Sequence, residues 1–326
     1  MNNLVPINEF DIVFISYDEP NADENYADLL DKCPWAKRSH GVWGSDAAHK
    51  AAAALSETER FITVDADNRV HGDFFNVEIN MNRIRKNDVI SWAAKNQING
   101  LVYGNGGIKC WPVDVVNKMR THEAAPENDP RAQVDFCWNI NYVQMNNCYS
   151  DVYNNGSPLQ AWRAGFREGV KMGLENGDVV DPSKIKKIHR ENYRRLMVWM
   201  SVGEDTTNGL WAIYGARLGC YMTNVLRHEW DWRNVRDFDW LSNYFKTDLF
   251  PQFEGDSNLC PRTGMSWDSI KLQKRTEELG EELRGKLDLE IADLGVLGSR
   301  FWKTVYRSPS RLGPQIREDQ VIYTIG

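Results

Sequence analysis

The chain has 326 residues and a formal net charge of -7, with 42% hydrophobic and 26% charged residues, which is typical of a folded globular protein. This acidic balance gives no overall attraction to nucleic acid or to an anionic membrane surface. The 6 cysteines are scattered without a Cys-x-x-Cys pair, which argues against a zinc knuckle and against a disulfide framework. The N-terminal residues form no basic, apolar leader, and no stretch reaches the roughly 20 apolar residues of a membrane span. We therefore expect a cytoplasmic protein without a membrane segment.

The first part of the chain alternates short apolar runs with amphipathic stretches. The runs at 10–16, 37–42 and 60–64 predict strands, and the stretches at 23–33 and 47–55 predict helices. Strand and helix in strict alternation are typical of a parallel sheet with helices on its faces. The sequence therefore predicts an α/β fold with a mostly parallel central sheet.

The pattern loosens further along the chain. Strands are predicted at 88–94 and 100–103, and helices begin at Pro112, at Pro158 (to about residue 176) and at Pro182 (to about residue 200). We divide the chain near residue 225, into a core of residues 1–225 and a helical, Trp-rich lobe of residues 226–326. Helical spacing in the lobe is shown by Leu272, Leu279, Leu283 and Leu287.

Acidic residues follow two of the predicted strands. The apolar run at 60–64 leads directly into Asp65-Ala66-Asp67. Two carboxylates at this spacing can hold a hard divalent cation such as Mn²⁺ or Mg²⁺, which in turn can neutralise a diphosphate. The alternative is a strand that ends in a polar turn with Asn68 at its corner.

The first strand has a similar exit, because Tyr17, Asp18 and Glu19 follow it. An aromatic ring can stack on a base, and carboxylates can accept hydrogen bonds from N–H or hydroxyl groups; a plain polar turn is the alternative. Since ligands of α/β sheets bind outside the carboxyl ends of the strands, we expect both groups of acids at one cleft.

Two further sites carry candidate residues. Asp46 and Lys50 lie one helical turn apart and share a face, although an N-cap and a solvated lysine would explain them equally well. The loop Gly104-Asn105-Gly106-Gly107 would let the backbone approach a ligand closely, or it could be a plain turn between strands.

Several of these segments together resemble a known family. The segments are Phe-Ile-Ser-Tyr-Asp-Glu-Pro at 14–20, Gly-Ser-Asp-Ala-Ala-His-Lys-Ala-Ala-Ala at 44–53 and Phe-Ile-Thr-Val-Asp-Ala-Asp at 61–67. They resemble the nucleotide-sugar half of GT-A-type glycosyltransferases of the family-2 kind. The glycine loop at 104–107 and Gly203-Glu204-Asp205 continue the resemblance, which covers roughly residues 10 to 225.

The resemblance implies a GT-A fold with a helical C-terminal extension and a UDP-sugar as donor. It implies that the donor is bound by Ser16, Tyr17, Asp18, Glu19, Asp46, Lys50, Asp65, Ala66, Asp67, Gly104, Asn105, Gly106 and Gly107. Asp67 would be the direct ligand of Mn²⁺ or Mg²⁺, and Asp65 would be the ribose-side acid and a second residue of the metal site. His228 would be a late metal ligand, with a structural histidine as the alternative.

The resemblance also implies a general base. In inverting enzymes of this kind an acid in the Glu204-Asp205 position removes the proton of the acceptor hydroxyl. Asp205 is the first candidate and Glu204 the second. The alternative is a helix C-terminus that is followed by an N-cap.

Two basic segments bear on the acceptor. Lysines and arginines crowd residues 184–195, which are predicted to be one helix, and residues 300–317, where aromatic residues lie between them. Basic residues among aromatics suit a nucleic-acid backbone with an unstacked base, while a solvated helix face and an ordinary tail are the alternatives.

The sequences of residues 18–30 and 46–53 resemble those of proteins from tailed bacteriophages that glycosylate hydroxylated or hydroxymethylated pyrimidines in DNA. The resemblance implies transfer of arabinose or glucose to such a base in the host cytoplasm. A surface polysaccharide or a protein as acceptor, and a non-catalytic module that binds a nucleotide sugar, are the competing hypotheses.

Overall fold

A computed structural model of the chain describes residues 3–103, 107–126, 129, 136, 137, 139–306 and 322–324. The strands within these residues are β1 (Leu4–Pro6), β2 (Asp11–Ser16), β3 (Lys37–His40), β4 (Arg60–Asp65), β5 (Asn68–Val70), β6 (Val77–Asn80), β7 (Asp88–Asn96), β8 (Val102–Tyr103), β9 (Ile108–Pro112), β10 (Asn141–Val152), β11 (Leu174–Glu175), β12 (Asp178–Val179), β13 (Glu254–Leu259), β14 (Ser266–Trp267) and β15 (Ile322–Thr324). Strands β1, β6 and β15 form a small sheet beside the central one.

The central sheet is mixed. Its order is β3-β2-β4-β9-β7-β10-β5, and β8 pairs with β7. Strand β2 runs parallel to β3 and β4, and β7 runs parallel to β10, whereas β9 is antiparallel to both β4 and β7. Consequently β2, β3, β4, β7 and β10 all point the same way and share one carboxyl edge. The α/β class predicted from the sequence is confirmed, and the sheet departs from a parallel one at β5, β8 and β9.

The chain reverses its direction of travel across the sheet between β2 and β4. After β2 the chain forms β3, which is the neighbour of β2 on one side. It then passes back across β2 and forms β4, which is the neighbour of β2 on the other side. In open α/β sheets such a switch point leaves a crevice outside the carboxyl ends of the two strands, because the connections on either side diverge.

Both faces of the central sheet are buried. In β2, Ile12 and Phe14 belong to one apolar cluster and Val13 to the other, as the two-residue period of a strand requires. One face is covered by the helix that contains Leu29, and the opposite face by the helix that contains Ala52. Continuous apolar runs are typical of such strands, which is why the sequence located β2 and β4 within a residue or two.

The helices are α1 (Ala22–Lys32), α2 (Ser45–Ala54), α3 (Val113–Lys118), α4 (Pro158–Met172), α5 (Arg190–Trp199), α6 (Gly209–Tyr221), α7 (Phe238–Asn243), α8 (Ser269–Leu287) and α9 (Gly295–Val305). The four leucines predicted to share a face of α8 are all buried. Among the described residues, no helix combines the length and apolar character needed to cross a membrane.

A third apolar cluster is helical. It includes the fully buried Trp162, Trp199 and Trp211, so these tryptophans are part of a core. The same cluster contains Phe166 before residue 225 and Leu283 after it. The division of the chain at residue 225 therefore runs through shared packing, and it stays a prediction.

Helices α4 and α6 make direct backbone contact inside this cluster. A Cβ atom built on Gly165 would lie 1.9 Å from the carbonyl oxygen of Ala212, and one on Gly169 would lie 2.2 Å from that of Ala216. Gly215 and Gly219 of α6 are equally close to carbonyl oxygens of α4. No larger residue fits at these four positions, because the helices would have to separate.

The predicted basic helix at 184–195 is wrong. Pro182–Lys187 forms a 3₁₀ helix that Asp181 caps, and α5 begins only at Arg190. Between them the buried Ile188 is extended, and the backbone N–H of His189 donates to a carboxylate oxygen of Glu175. The backbone of Ile188, with φ -58° and ψ 167°, is not helical and separates the two segments.

Candidate functional site

The acidic turn, Asp65–Asn68, joins β4 to β5 at the carboxyl edge of the central sheet. The side-chain amide of Asn68 donates to Asp67 Oδ1 over 2.7 Å, and Ser150 Oγ donates to Asn68 Oδ1 over 2.8 Å. The backbone N–H of Tyr153 donates to the carbonyl oxygen of Asp67 over 2.6 Å. Strand β10 and the residue after it therefore fix the position of Asp67. In this turn Ala66 is buried, and its carbonyl accepts from the Asn25 side chain over 2.8 Å.

Gly107 packs directly on the acidic turn. The backbone N–H of Asp65 donates to the Gly107 carbonyl over 3.0 Å. A Cβ on Gly107 would lie 2.2 Å from the Asn68 amide nitrogen and 2.9 Å from Asp65 Cβ, so the position requires glycine. The predicted glycine loop thus meets the predicted acids at this residue. Gly104, Asn105 and Gly106 lie outside the described residues.

The exit of β2 lies beside this turn. Glu19 accepts a hydrogen bond from the backbone N–H of Tyr17 over 2.8 Å, while Asp18 is exposed. The buried Ser16 hydroxyl accepts from Arg38 Nε and lies 2.9 Å from His40 Nδ1. The Ser16 hydroxyl therefore already has hydrogen-bond partners within the sheet, whereas the residues after it face outward.

An aromatic pair stands at the same exit. Tyr17 and Trp43 are 40% and 54% exposed, and their ring centroids are 5.4 Å apart in an edge-to-face arrangement. Gly41 and Gly44, both with positive φ, bound the short segment that carries Trp43. Trp43 was not among the predicted site residues. An exposed tryptophan between two glycines before a helix is the signal that could have found it.

The carboxylates of the two strand ends influence one another. Burial, together with the negative charges of Asp65 and Glu19, raises the pKa of Asp67 to about 7. In the described part of the chain, no three His, Cys, Asp or Glu side chains already form a metal-binding group. The donor atoms at hand are carboxylate oxygens, which are the ligands that Mg²⁺ and Mn²⁺ prefer.

A hydrogen-bonded network ties this edge to the start of α4. Asn21 donates to the Tyr153 carbonyl over 2.6 Å, Gln160 donates to Asn21 Oδ1 over 3.3 Å, and the Gly156 N–H donates to Gln160 Oε1 over 2.7 Å. The exit of β2, the residues after β10 and the first turn of α4 are thereby held together.

Asp46 and Lys50 form an ion pair, with 2.5 Å between Lys50 Nζ and Asp46 Oδ2. The start of α2 is capped from a distance, because Glu123 accepts from Ser45 N over 2.6 Å and from Asp46 N over 3.2 Å. A carboxylate suits a helix N-terminus, where N–H groups lack partners. Neither Ser45 nor Asp46 is the cap, and the sequence offered no local signal for Glu123.

Asp205 pairs with a lysine from the far end of the chain. Lys303 Nζ lies 2.8 Å from Asp205 Oδ2 and also donates to Thr206 Oγ1 over 3.0 Å and to the Ile98 carbonyl over 3.2 Å. The Asp205 side chain is only 9% exposed. Its second oxygen, Oδ1, is buried and has no hydrogen-bond partner among the described residues.

Glu204, its neighbour, lies in a different environment. Burial raises the pKa of Glu204, and the negative charges of Glu277 and Asp293 raise it further, while Arg217 opposes them. Arg217 itself is 1% exposed and pairs with Asp293 over 2.7 Å. Glu204 therefore faces the helical cluster.

The loop that carries Asp205 belongs to the same edge as the acidic turn. Asn208 donates to the Asn155 carbonyl, and Asn155 donates to the Thr207 carbonyl, each over 2.9 Å. Asn155 follows the residue that binds Asp67 by only two positions. The structure thus brings the proposed base and the acidic turn to one edge, although none of the described hydrogen bonds or ion pairs joins Asp205 to Asp67.

His228 takes no part in the hydrogen bonds described for this edge. It is exposed in the single 3₁₀ turn Arg227–Glu229, and the described hydrogen bonds of the acidic turn do not include it. Its assignment as a metal ligand stays a prediction that this geometry does not support.

Half of the basic residues in the first basic segment, residues 184–195, have intramolecular partners. Lys186 pairs with Asp288 over 2.7 Å, Arg194 pairs with Glu191 over 3.4 Å, and the guanidinium of Arg195 lies over the Tyr103 ring. The exposed remainder is Lys184, Lys187 and Arg190. In the second basic segment, residues 300–317, the rings of Trp302 and Tyr306 stack with centroids 4.0 Å apart. Residues 307–317 lie outside the described residues.

No family model, curated protein or solved structure matches the chain.

Proposed function

We propose that the protein is a GT-A-type glycosyltransferase that uses a UDP-sugar. The observation that carries this proposal is the meeting of two acidic strand exits, Tyr17–Glu19 and Asp65–Asp67, at the switch point of an α/β sheet. The order of the segments along the chain, which resembles that of family-2 enzymes, supports the same assignment.

The parts of a nucleotide-sugar site can be assigned to named residues. The exposed rings of Tyr17 and Trp43 offer a surface on which a base can stack. Asp18, Glu19 and Asp65 offer acceptors for base and ribose donors, with the ion-paired Asp46 and Lys50 nearby on α2. Gly107 allows the backbone to lie against the acidic turn, where a donor sugar would be held.

Mn²⁺ or Mg²⁺ fits the carboxylate oxygens of Asp67 and Asp65. When bound, the cation would supply positive charge for the diphosphate. Like charge at Asp65 and Glu19 acts against ionisation of Asp67, and a cation would relieve that repulsion.

The proposed reaction is a direct displacement with inversion. The acceptor hydroxyl oxygen bonds to the anomeric carbon of the sugar, and its proton passes to Asp205. The bond from that carbon to the diphosphate oxygen breaks, and the electron pair stays on the diphosphate. Lys303 holds Asp205 Oδ2, which leaves Oδ1 as the proton acceptor. Since Oδ1 is buried, the hydroxyl group that receives the sugar must displace neighbouring side chains to reach it.

For the acceptor we propose a hydroxylated or hydroxymethylated pyrimidine in DNA, modified with arabinose or glucose in the cytoplasm of a phage-infected host. The phage-like segments support this choice, and Lys184, Lys187 and Arg190 are exposed cations that could contact phosphates.

The test is release of UDP from UDP-glucose and UDP-arabinose. Hydroxymethylated DNA, unmodified DNA, a glycan, a protein and no acceptor are compared, each with Mn²⁺ and with EDTA, and UDP binding is measured alongside by titration calorimetry. We expect metal-dependent release that requires the modified DNA. Release that requires a glycan or protein acceptor would overturn the DNA assignment alone. Absence of both UDP binding and UDP release would overturn the glycosyltransferase.

A further inference from the structure

Two arginines on α4 share one aromatic ring. Arg163 and Arg167 are one helical turn apart, and their guanidinium carbons lie 4.7 Å and 4.9 Å from the ring centroid of Phe238. Cation–π contact of this kind fixes the position of a guanidinium while leaving its N–H groups unused. We refer to Arg163 and Arg167 as the arginine pair.

Neither arginine of the pair forms a direct ion pair with a carboxylate within the described residues. The ion pairs of the described residues involve other arginines, such as Arg38 and Arg194. Arg167 Nε is buried and has no hydrogen-bond acceptor among the described residues. Like charges at this helical spacing repel each other, and buried charge without a partner costs free energy. Accordingly, burial and the charge of Arg163 lower the pKa of Arg167 to about 10. An arrangement of this kind becomes favourable when an anion is bound.

The arginine pair faces the carboxylates of the proposed donor site. Asp18, Glu19 and Asp67 act electrostatically on Arg163, and Glu168 and, to a smaller extent, Asp67 act on Arg167. The network of Asn21 and Gln160 holds the start of α4 against the β2 exit, which explains this proximity. No ion pair among the described residues joins the arginine pair to these carboxylates, so the guanidinium N–H groups are left for another acceptor.

We propose that Arg163 and Arg167 bind the diphosphate of the sugar donor, opposite Asp67. Guanidinium groups suit phosphoryl oxygens because they donate paired N–H groups in one plane. When the bond to the sugar breaks, the electron pair remains on the diphosphate, and the arginine pair stabilises that added charge. This inference rests on the proposed function and adds two residues that contact the leaving group.

Direct binding of UDP in the presence of Mg²⁺, measured by titration calorimetry, tests the assignment. Arg163→Gln and Arg167→Gln should each weaken UDP binding by about 10- to 100-fold, the usual cost of a lost charged hydrogen bond. Binding of uridine, which has no phosphate, should be unchanged. Arg167→Lys keeps the charge without the planar fork and should lose less. Arg83→Gln is the matched control, because Arg83 is exposed in the 3₁₀ turn after β6.

The outcomes separate the inference from the function on which it rests. If the wild-type protein binds UDP and both glutamine variants bind it equally well, the inference is wrong and the proposed function stands. If the variants keep UDP affinity and lose affinity for hydroxymethylated DNA, the arginines bind nucleic-acid phosphate and the inference is overturned. If the wild type does not bind UDP, the proposed function fails. Should a glutamine variant unfold, Arg167→Lys and Phe238→Leu, which keeps both charges, provide the comparison.

Discussion

Asp67 and Asp205 are carboxylates at the same edge of the central sheet, yet their electrostatic surroundings are opposite. Asp67 lies among the negative charges of Asp65 and Glu19, which help burial to raise its pKa to about 7. Asp205 lies 2.8 Å from the ammonium group of Lys303. The first carboxylate forms no ion pair within the described residues, whereas the second pairs with Lys303. A metal-binding role suits the first, and a fixed proton acceptor suits the second.

The largest expected effect comes from removing the Asp67 carboxylate. Asp67→Asn should abolish sugar transfer, because the diphosphate would lose its metal site. The variant should fold at least as well as the wild type, since it removes a charge that its neighbours repel. UDP release and thermal unfolding are the measurements, with the exposed Asp73→Asn as control. Transfer at the wild-type rate in EDTA would contradict the metal role.

The second effect concerns the carboxylate that has a cation. Asp205→Asn should lower turnover by about 10² to 10⁴, which is typical of a lost general base. UDP affinity should change little, because Asp205 is not assigned to the diphosphate. Steady-state turnover and calorimetric UDP binding check the two statements. A variant that turns over normally at saturating donor but binds UDP poorly would reassign Asp205 to the donor site.

Removal of the Lys303 ammonium group should mainly lower the free energy of unfolding. Lys303→Met keeps much of the aliphatic stem but leaves Asp205 as a buried charge without a partner, which costs about 3 kcal/mol. The loss is measured by chemical denaturation. The double variant with Asp205→Asn should recover part of it, because the unpaired charge is then gone. Additive losses in the double variant would show that the pair is not coupled.

The smallest effect separates Asp205 from its neighbour. The folded protein raises the pKa of Glu204, so it binds that proton more tightly than the unfolded chain does. Stability associated with this group should therefore fall as the pH rises above the ordinary value of 4.5 through the raised pKa. Glu204→Gln should flatten that decline in thermal unfolding and leave catalysis intact. Glu277→Gln should flatten it less, and a steeper decline in either variant would refute this account.

The sequence located the parts of the fold that depend on local patterns. Strands β2 and β4 are continuous apolar runs, and α8 carries its buried leucines at helical spacing, so their positions follow from periodicity. Strand β10 was not predicted. Its register against β7 shifts twice, between Gln144 and Cys148 and between Cys148 and Ser150, and such irregularity erases the alternation that marks a strand.

The candidate site divides in the same way. Asp65 and Asp67 are adjacent to a predictable strand, so their place at the carboxyl edge followed from sequence. Their surroundings could not be predicted, because Gly107 and Tyr153 reach them through long-range pairing. For the same reason the partner of Asp205, almost a hundred residues away, and the cap of α2 had no local signal.

The backbone contact between α4 and α6 also limits how the site can move. Where carbonyl oxygens fill the space that a Cβ would need, two helices cannot slide or tilt past each other without a clash. Helix α4 is therefore held firmly against α6, and under the proposed function it would present Arg163 and Arg167 in a fixed position before the donor arrives. The energetic cost of ordering those groups is met during folding rather than during binding. A change of shape on donor binding must therefore arise in the segments opposite α4, among them the exposed one that carries Trp43.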